Sequence, residues 1–202
     1  MKILLTAFDP FGGESINPAE EAVKSVASPD GVELYKLTVP TVFGKSSETV
    51  IQEIDRIHPD VVVSIGQAGG RSGITPERVA INVDDARIAD NEGNTPKNKP
   101  VVTDGPAAYF STLPIYEITE ALTAAGITSS ISNSAGTFVC NHLMYAVLHY
   151  AADKFPGMRA GFIHVPFLPE QAVQKRENCP SMPLDTIVCG IEIALETVAE
   201  TK

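Results

Sequence analysis

The sequence contains no apolar run near the ~20 residues needed to cross a bilayer, no Gly/Ser- or Pro/Gln-rich linker and no internal repeat. These absences exclude a spanning helix and argue against a chain of separate modules. Basic charge is also scarce, with 15 Lys and Arg against 25 Asp and Glu and a formal net charge of −10. Nucleic acid and anionic membrane both reward a basic face, so neither is expected as a partner. An acidic surface of this kind serves solubility. The opening MKILLTAF is apolar, but Asp9-Pro10 ends it too early for a signal peptide. Only three cysteines occur, at 140, 179 and 189. An odd number without close pairing reads as free thiols in a reducing compartment, so the expected location is the cytoplasm, without a 179–189 disulfide.

What is present suits one sizeable core: 202 residues, 44% of them apolar. Short β-branched runs alternate with helical patterns. Strands are expected at Lys2–Phe8, Val32–Val39, Asp60–Ile65, Ile127–Ile131 and Arg159–Val165. The run Val61-Val62-Val63-Ser64-Ile65 is nearly all apolar, as in a strand covered on both faces. Helices are expected from Asn17-Pro18 to about Val26, over 43–57, over Ala107–Ala125 before Gly126, from Phe138 to about Lys154, and over Leu184–Ala199. This order predicts a single α/β domain over residues 1–202, a three-layer α/β/α sandwich with a mostly parallel, mixed sheet. In such folds functional sites gather beyond the carboxyl ends of the strands. The polar stretch 84–106 is expected to be a surface excursion or a small antiparallel arm.

Chemistry-bearing residues fall at those strand ends. Cys140 lies at the start of a predicted helix, behind the small residues Ser134-Ala135-Gly136. Free N–H groups and the helix dipole there would lower a thiol pKa and could receive an oxyanion. A small buried hydrophobe fits the same position. Of the four histidines, His58 precedes Pro59 at a turn, and His142 and His149 lie on the predicted helix of Cys140. His164 follows Gly161-Phe162-Ile163 at a strand end, where a base could reach the thiol; a hydrogen-bonded core histidine is the alternative. Glu77 follows the glycine-rich loop 66–73 in an apolar neighbourhood. A buried carboxylate needs a partner, and an imidazole or Arg78 would serve, as would a helix-cap role. The glycine loop lacks the Gly-Lys-Ser/Thr ending of a phosphate cradle. Phe8 and Phe11, in Phe8-Asp9-Pro10-Phe11-Gly12-Gly13, form either an apolar wall or caps on the core.

FDPFGG at 8–13, GQAGGRSGITPERVAIN at 66–82, SNSAGTFVCNH at 132–142 and GFIHVPFLPEQ at 161–171 together resemble the pyroglutamyl peptidase I family of cysteine peptidases. The resemblance extends over essentially the whole chain. It implies a cytosolic enzyme that removes N-terminal pyroglutamate from peptides, with no metal or cofactor and commonly a homotetramer. By the same resemblance Cys140 is the nucleophile, His164 the general base and acid, and Glu77 the residue that orients His164. Phe8, Phe11 and Phe138 match pocket-lining positions, Gln67 one whose backbone pairs with the lactam amide, and Arg87 an arginine near the oxyanion.

Overall fold

The computed structural model describes residues 1–175 and 179–201. The order is β1 (Lys2–Phe8), α1 (Pro18–Ser25), β2 (Glu33–Val39), α2 (Lys45–Ile57), β3 (Val61–Gln67), β4 (Thr75–Pro76), β5 (Val79–Ile81), β6 (Ala108–Phe110), α3 (Ile115–Ala124), α4 (Val139–Lys154), β7 (Arg159–Val165), α5 (Pro169–Val173) and α6 (Leu184–Glu200). Five strands form one sheet in the order β2-β1-β3-β7-β4, parallel except for the β4–β7 pair. β5 and β6 form a separate antiparallel pair.

The period-2 alternation of the strands divides the core into two halves. From β1, Ile3, Leu5 and Ala7 meet α1, α3 and α6 on one face, while Leu4 and Phe8 meet α2 and α4 on the other. β3 repeats the split with Val61, Val63 and Ile65 against Val62. A side chain of this kind contributes about 1.5–3 kcal/mol when fully buried, so both faces are fixed strongly and a one-residue slip of register is excluded. Asn17 caps α1 through its side chain, which accepts from the Ala19 N–H, and Pro18 supplies the fixed φ of the first helical position.

Two expected elements differ. The predicted helix over Ala107–Ala125 is a strand, β6, followed by α3. Pro114 cannot donate inside a helix, so the helix begins just after it and the residues before it pair with β5. Gly126 does end the helix, with φ of 76°. Ile127–Ile131 is not a continuous strand but runs beside residues 74–78 through isolated parallel bridges at Ile74–Ser129 and Glu77–Ser132. Pro76 interrupts that ladder because it has no N–H to give. The stretch 84–106 is an irregular excursion pinned by one antiparallel bridge, Asp84–Lys99.

The chain reverses its progress across the sheet between β1 and β3, and the carboxyl ends of β1, β3 and β7 lie side by side. A crevice is expected at that point.

Candidate active site

A cavity of about 450 Å³ opens there, and Gln67, Cys140, His164, Phe11 and Phe138 are among its lining residues. Three neighbouring elements bring the chemistry together. β7 carries His164 next to Gly66 of β3. The short antiparallel β4 pairs Thr75 with His164, and the Glu77 N–H then donates to the Phe162 carbonyl at 2.8 Å. Helix α4 starts at Val139, which puts Cys140 in its first turn. Gly66 allows the approach: a Cβ there would lie 2.7 Å from the Phe162 ring and 3.2 Å from Cys140 Sγ. Any side chain at 66 would therefore push the thiol away from the sheet edge that bears His164.

His164 is 4% exposed and Glu77 0%. His164 Nδ1–H donates to Glu77 Oε1 at 2.7 Å, which leaves Nε2 without a partner among the described residues, on a ring that lines the cavity. The same Oε1 accepts from Arg71 Nη1 at 2.6 Å, and that guanidinium also reaches Thr75 and, at 3.4 Å, the Ser134 carbonyl. The partner of Glu77 besides the imidazole is thus Arg71 and not Arg78, whose guanidinium bonds Asn133 and Tyr116. Burial opposes the charge of Glu77, but His164, the nearby Ser132 hydroxyl and Arg71 together outweigh it and hold the carboxyl below its ordinary pKa.

Burial, reinforced by the Glu77 charge, pushes the Cys140 thiol up to about 12. This reverses the expectation that the helix start would lower it: loss of water outweighs the few free N–H groups of α4. Burial likewise pulls His164 below the ordinary histidine value, against the pull of Glu77. Both shifts favour the neutral forms of the two groups, which line the same cavity, and the His164 Nε2 can accept a proton. No backbone acceptor is present for the N–H groups of Cys140 and Asn141 among the described residues, so they remain available to an oxyanion.

The pyroglutamyl peptidase family model matches residues 1–201. A pyrrolidone-carboxylate peptidase of Clostridium perfringens is 55% identical over 98% of this chain and 93% of its own length. Pyrrolidone-carboxylate peptidase 1 of Streptococcus pneumoniae is 57% identical over 100% and 94%. The crystal structure of pyroglutamyl peptidase I from Bacillus amyloliquefaciens superposes with a TM-score of 0.95 at 46% identity, covering 99% of this chain and 97% of that one. The chain belongs to the pyroglutamyl peptidase family.

The residues expected from the family resemblance are not all in the cavity. Phe11 and Phe138 line it, with ring centroids 6.1 Å apart, and Phe43 stands edge-on to Phe138 at 5.3 Å. Phe8 does not: it is 2% exposed and packs on Phe162 beneath the site, because β1 turns it into the α2/α4 core. Arg87 lines the cavity mouth on an exposed segment, beside Ile88. His58 is exposed, and His149 bonds Tyr109 away from the thiol. Cys189 is exposed on α6 and Cys179 is half-buried, and both are free thiols. Sequence reasoning missed Arg71 and the α5 residue Gln171, although the first sits inside GQAGGRSG and a cation six residues from a buried glutamate was a usable signal. Among the described residues no group of three or more His, Cys, Asp or Glu side chains could hold a metal, and no helix is long and apolar enough to cross a membrane.

Proposed function

We propose that this chain is a cysteine exopeptidase that hydrolyses the amide bond after an N-terminal pyroglutamyl residue. One observation carries the residue assignment: His164 is fixed through Nδ1 by Glu77, and its free Nε2 shares a cavity with Cys140. Cys140 is the nucleophile. His164 takes the thiol proton as Sγ attacks the acyl carbonyl, so transfer and attack are coupled rather than preceded by a stable thiolate. The N–H groups of the first α4 turn receive the oxyanion, each such donor contributing about 2.7–4 kcal/mol to the transition state. His164 then protonates the departing amine, giving an acyl-enzyme, and activates the water that releases pyroglutamate. Glu77 holds the productive tautomer and stabilises the imidazolium as it forms.

The pocket suits a neutral lactam. Phe11 and Phe138 supply apolar rings, and the end of β3 at Gln67 supplies polar groups for the amide. A free α-ammonium is disfavoured, since Arg71 and Arg87 both line the cavity and Asp85 is paired with Lys97 at 3.2 Å. No resident cofactor takes part. The acidic chain works in the cytoplasm as a homo-oligomer, a tetramer by analogy with the family, and as one α/β domain.

Release of a chromogenic amine from a pyroglutamyl amide tests the reading. Reduced wild-type protein should turn the substrate over, and Cys140→Ala should not. Inactive wild type would refute the peptidase assignment, and equal rates in both would refute the nucleophile.

A further inference from the structure

Gln171 of α5 is 3% exposed and makes contacts that leave it no choice of orientation. The Leu168 backbone N–H, which can only donate, donates to Gln171 Oε1 at 3.0 Å. The Gln171 amide nitrogen therefore points the other way. It is 3.4 Å from the Ile16 carbonyl and 3.3 Å from Glu14 Oε2, both of which can only accept. The same nitrogen donates to Gln67 Oε1 at 3.0 Å. That contact sets the polarity of Gln67 in turn: its oxygen is occupied, and its Nε2 has no partner among the described residues, in a residue that lines the catalytic cavity.

Building on the peptidase reading above, we infer that Gln171 is a positioning residue for substrate recognition: it fixes the Gln67 side chain as a hydrogen-bond donor to the ring carbonyl of the bound lactam and ties the Phe11 loop to that donor. The relay begins at a backbone N–H and ends at Gln67, whose amide could flip only by setting its nitrogen against the Gln171 amide nitrogen at 3.0 Å. Glu14 reinforces the tie through its ion pair with Lys175. A ring carbonyl is what separates pyroglutamate from proline, so a donor held in this sense favours the lactam. This side-chain contact is distinct from the backbone pairing of Gln67 with the lactam amide.

Gln171→Glu tests it with almost no change of shape. The Leu168 N–H still finds an oxygen, but the second carboxylate oxygen now faces Gln67, whose amide must turn its nitrogen toward it and offer an oxygen to the substrate. KM for a pyroglutamyl amide, and the inhibition constant of 2-pyrrolidone as a probe without a scissile bond, should both rise about tenfold while kcat changes less than about threefold. Gln67→Met should do the same, and the double variant should be no worse than Gln67→Met alone, because Gln171 acts through Gln67. Gln171→Met, which removes the instruction without adding charge beside Glu14, reports the same pattern if Gln171→Glu does not fold. Inhibition constants within twofold of wild type in both Gln171 variants, or fully multiplicative losses in the double variant, would overturn the inference. Failure of the peptidase reading looks different: wild type would release no amine, while calorimetry with 2-pyrrolidone would still show whether Gln171 governs the pocket.

Discussion

Two histidine–carboxylate pairs lie close to Cys140 and are nearly the same in the pair itself. His164 Nδ1 meets Glu77 Oε1 at 2.7 Å, and His142 Nδ1 meets Asp84 Oδ2 at 2.8 Å. All four residues are buried, and each carboxylate keeps one buried oxygen, Glu77 Oε2 or Asp84 Oδ1, without a partner. The difference is at the far nitrogen. In His142 the Gly44 N–H donates to Nε2 at 3.1 Å, with Ser47 Oγ equally near, so the ring is consumed in clamping the start of α2 and the 84–106 excursion onto α4. In His164 the corresponding nitrogen has no partner among the described residues, on a ring that shares its cavity with Cys140. The pair alone does not identify a catalytic dyad; what decides is whether the second nitrogen has anything left to do.

The largest expected contrast removes each ring in turn. His164→Ala should reduce kcat/KM by roughly 10⁴-fold or more, as loss of a base from a concerted unit does. It should cost little stability, because Glu77 keeps Arg71. His142→Ala should reverse the pattern: a buried Asp84 left without its one side-chain partner among the described residues costs about 3–5 kcal/mol in urea unfolding, with kcat/KM at low temperature down less than about tenfold. A His142→Ala enzyme as inactive as His164→Ala, yet stably folded, would erase the distinction.

Glu77→Gln should fall between these limits. A side-chain amide can donate to Nδ1, which would place the ring proton on Nε2 and block it as an acceptor. Loss of about 10²–10⁴-fold in kcat is expected, with KM unchanged within about threefold. If kcat falls less than about fivefold, Glu77 is a packing partner like Asp84, and the two pairs are more alike than their surroundings suggest.

Much of this site was legible in the sequence, for a physical reason. Strands buried on both faces leave continuous apolar runs, so β1, β3 and β7 were visible, and strand ends in a parallel sheet converge, so Cys140 and His164 could be placed together. Pro114 and Pro76 marked the two misread elements, and each acts through its missing N–H. Phe8 was misplaced because a strand-end aromatic can face the core or the crevice, and only the pleat decides. Arg71 and Gln171 were missed because their importance comes from distant contacts: Gln171 meets Gln67 104 positions away. The direction of the Cys140 shift was misjudged because a helix start is visible in sequence and the loss of water around it is not.

The smallest effect concerns the charge that one pair has and the other lacks. Arg71 shares Glu77 Oε1 with His164 and opposes a second positive charge on the ring. On the proposed mechanism His164 must be neutral in the free enzyme to accept the thiol proton, and burial lowers its pKa from 6.5, so kcat/KM should hold from neutral pH down past that value and then fall. With the thiol pushed up to about 12, no alkaline limb from Cys140 is expected in the usual assay range. In Arg71→Met an imidazolium is opposed less and Glu77 is its alone, so protonation becomes easier and the acid limb must move to higher pH. Arg71→Lys retains the charge and should leave the limb nearer its wild-type position. A pH–rate profile of the three proteins reads this directly: a uniform loss at all pH values in Arg71→Met, with the limb unmoved, would reduce Arg71 to a brace for the Ser134 loop, whereas an upward shift means that its charge sets the pH at which His164 can serve as a base.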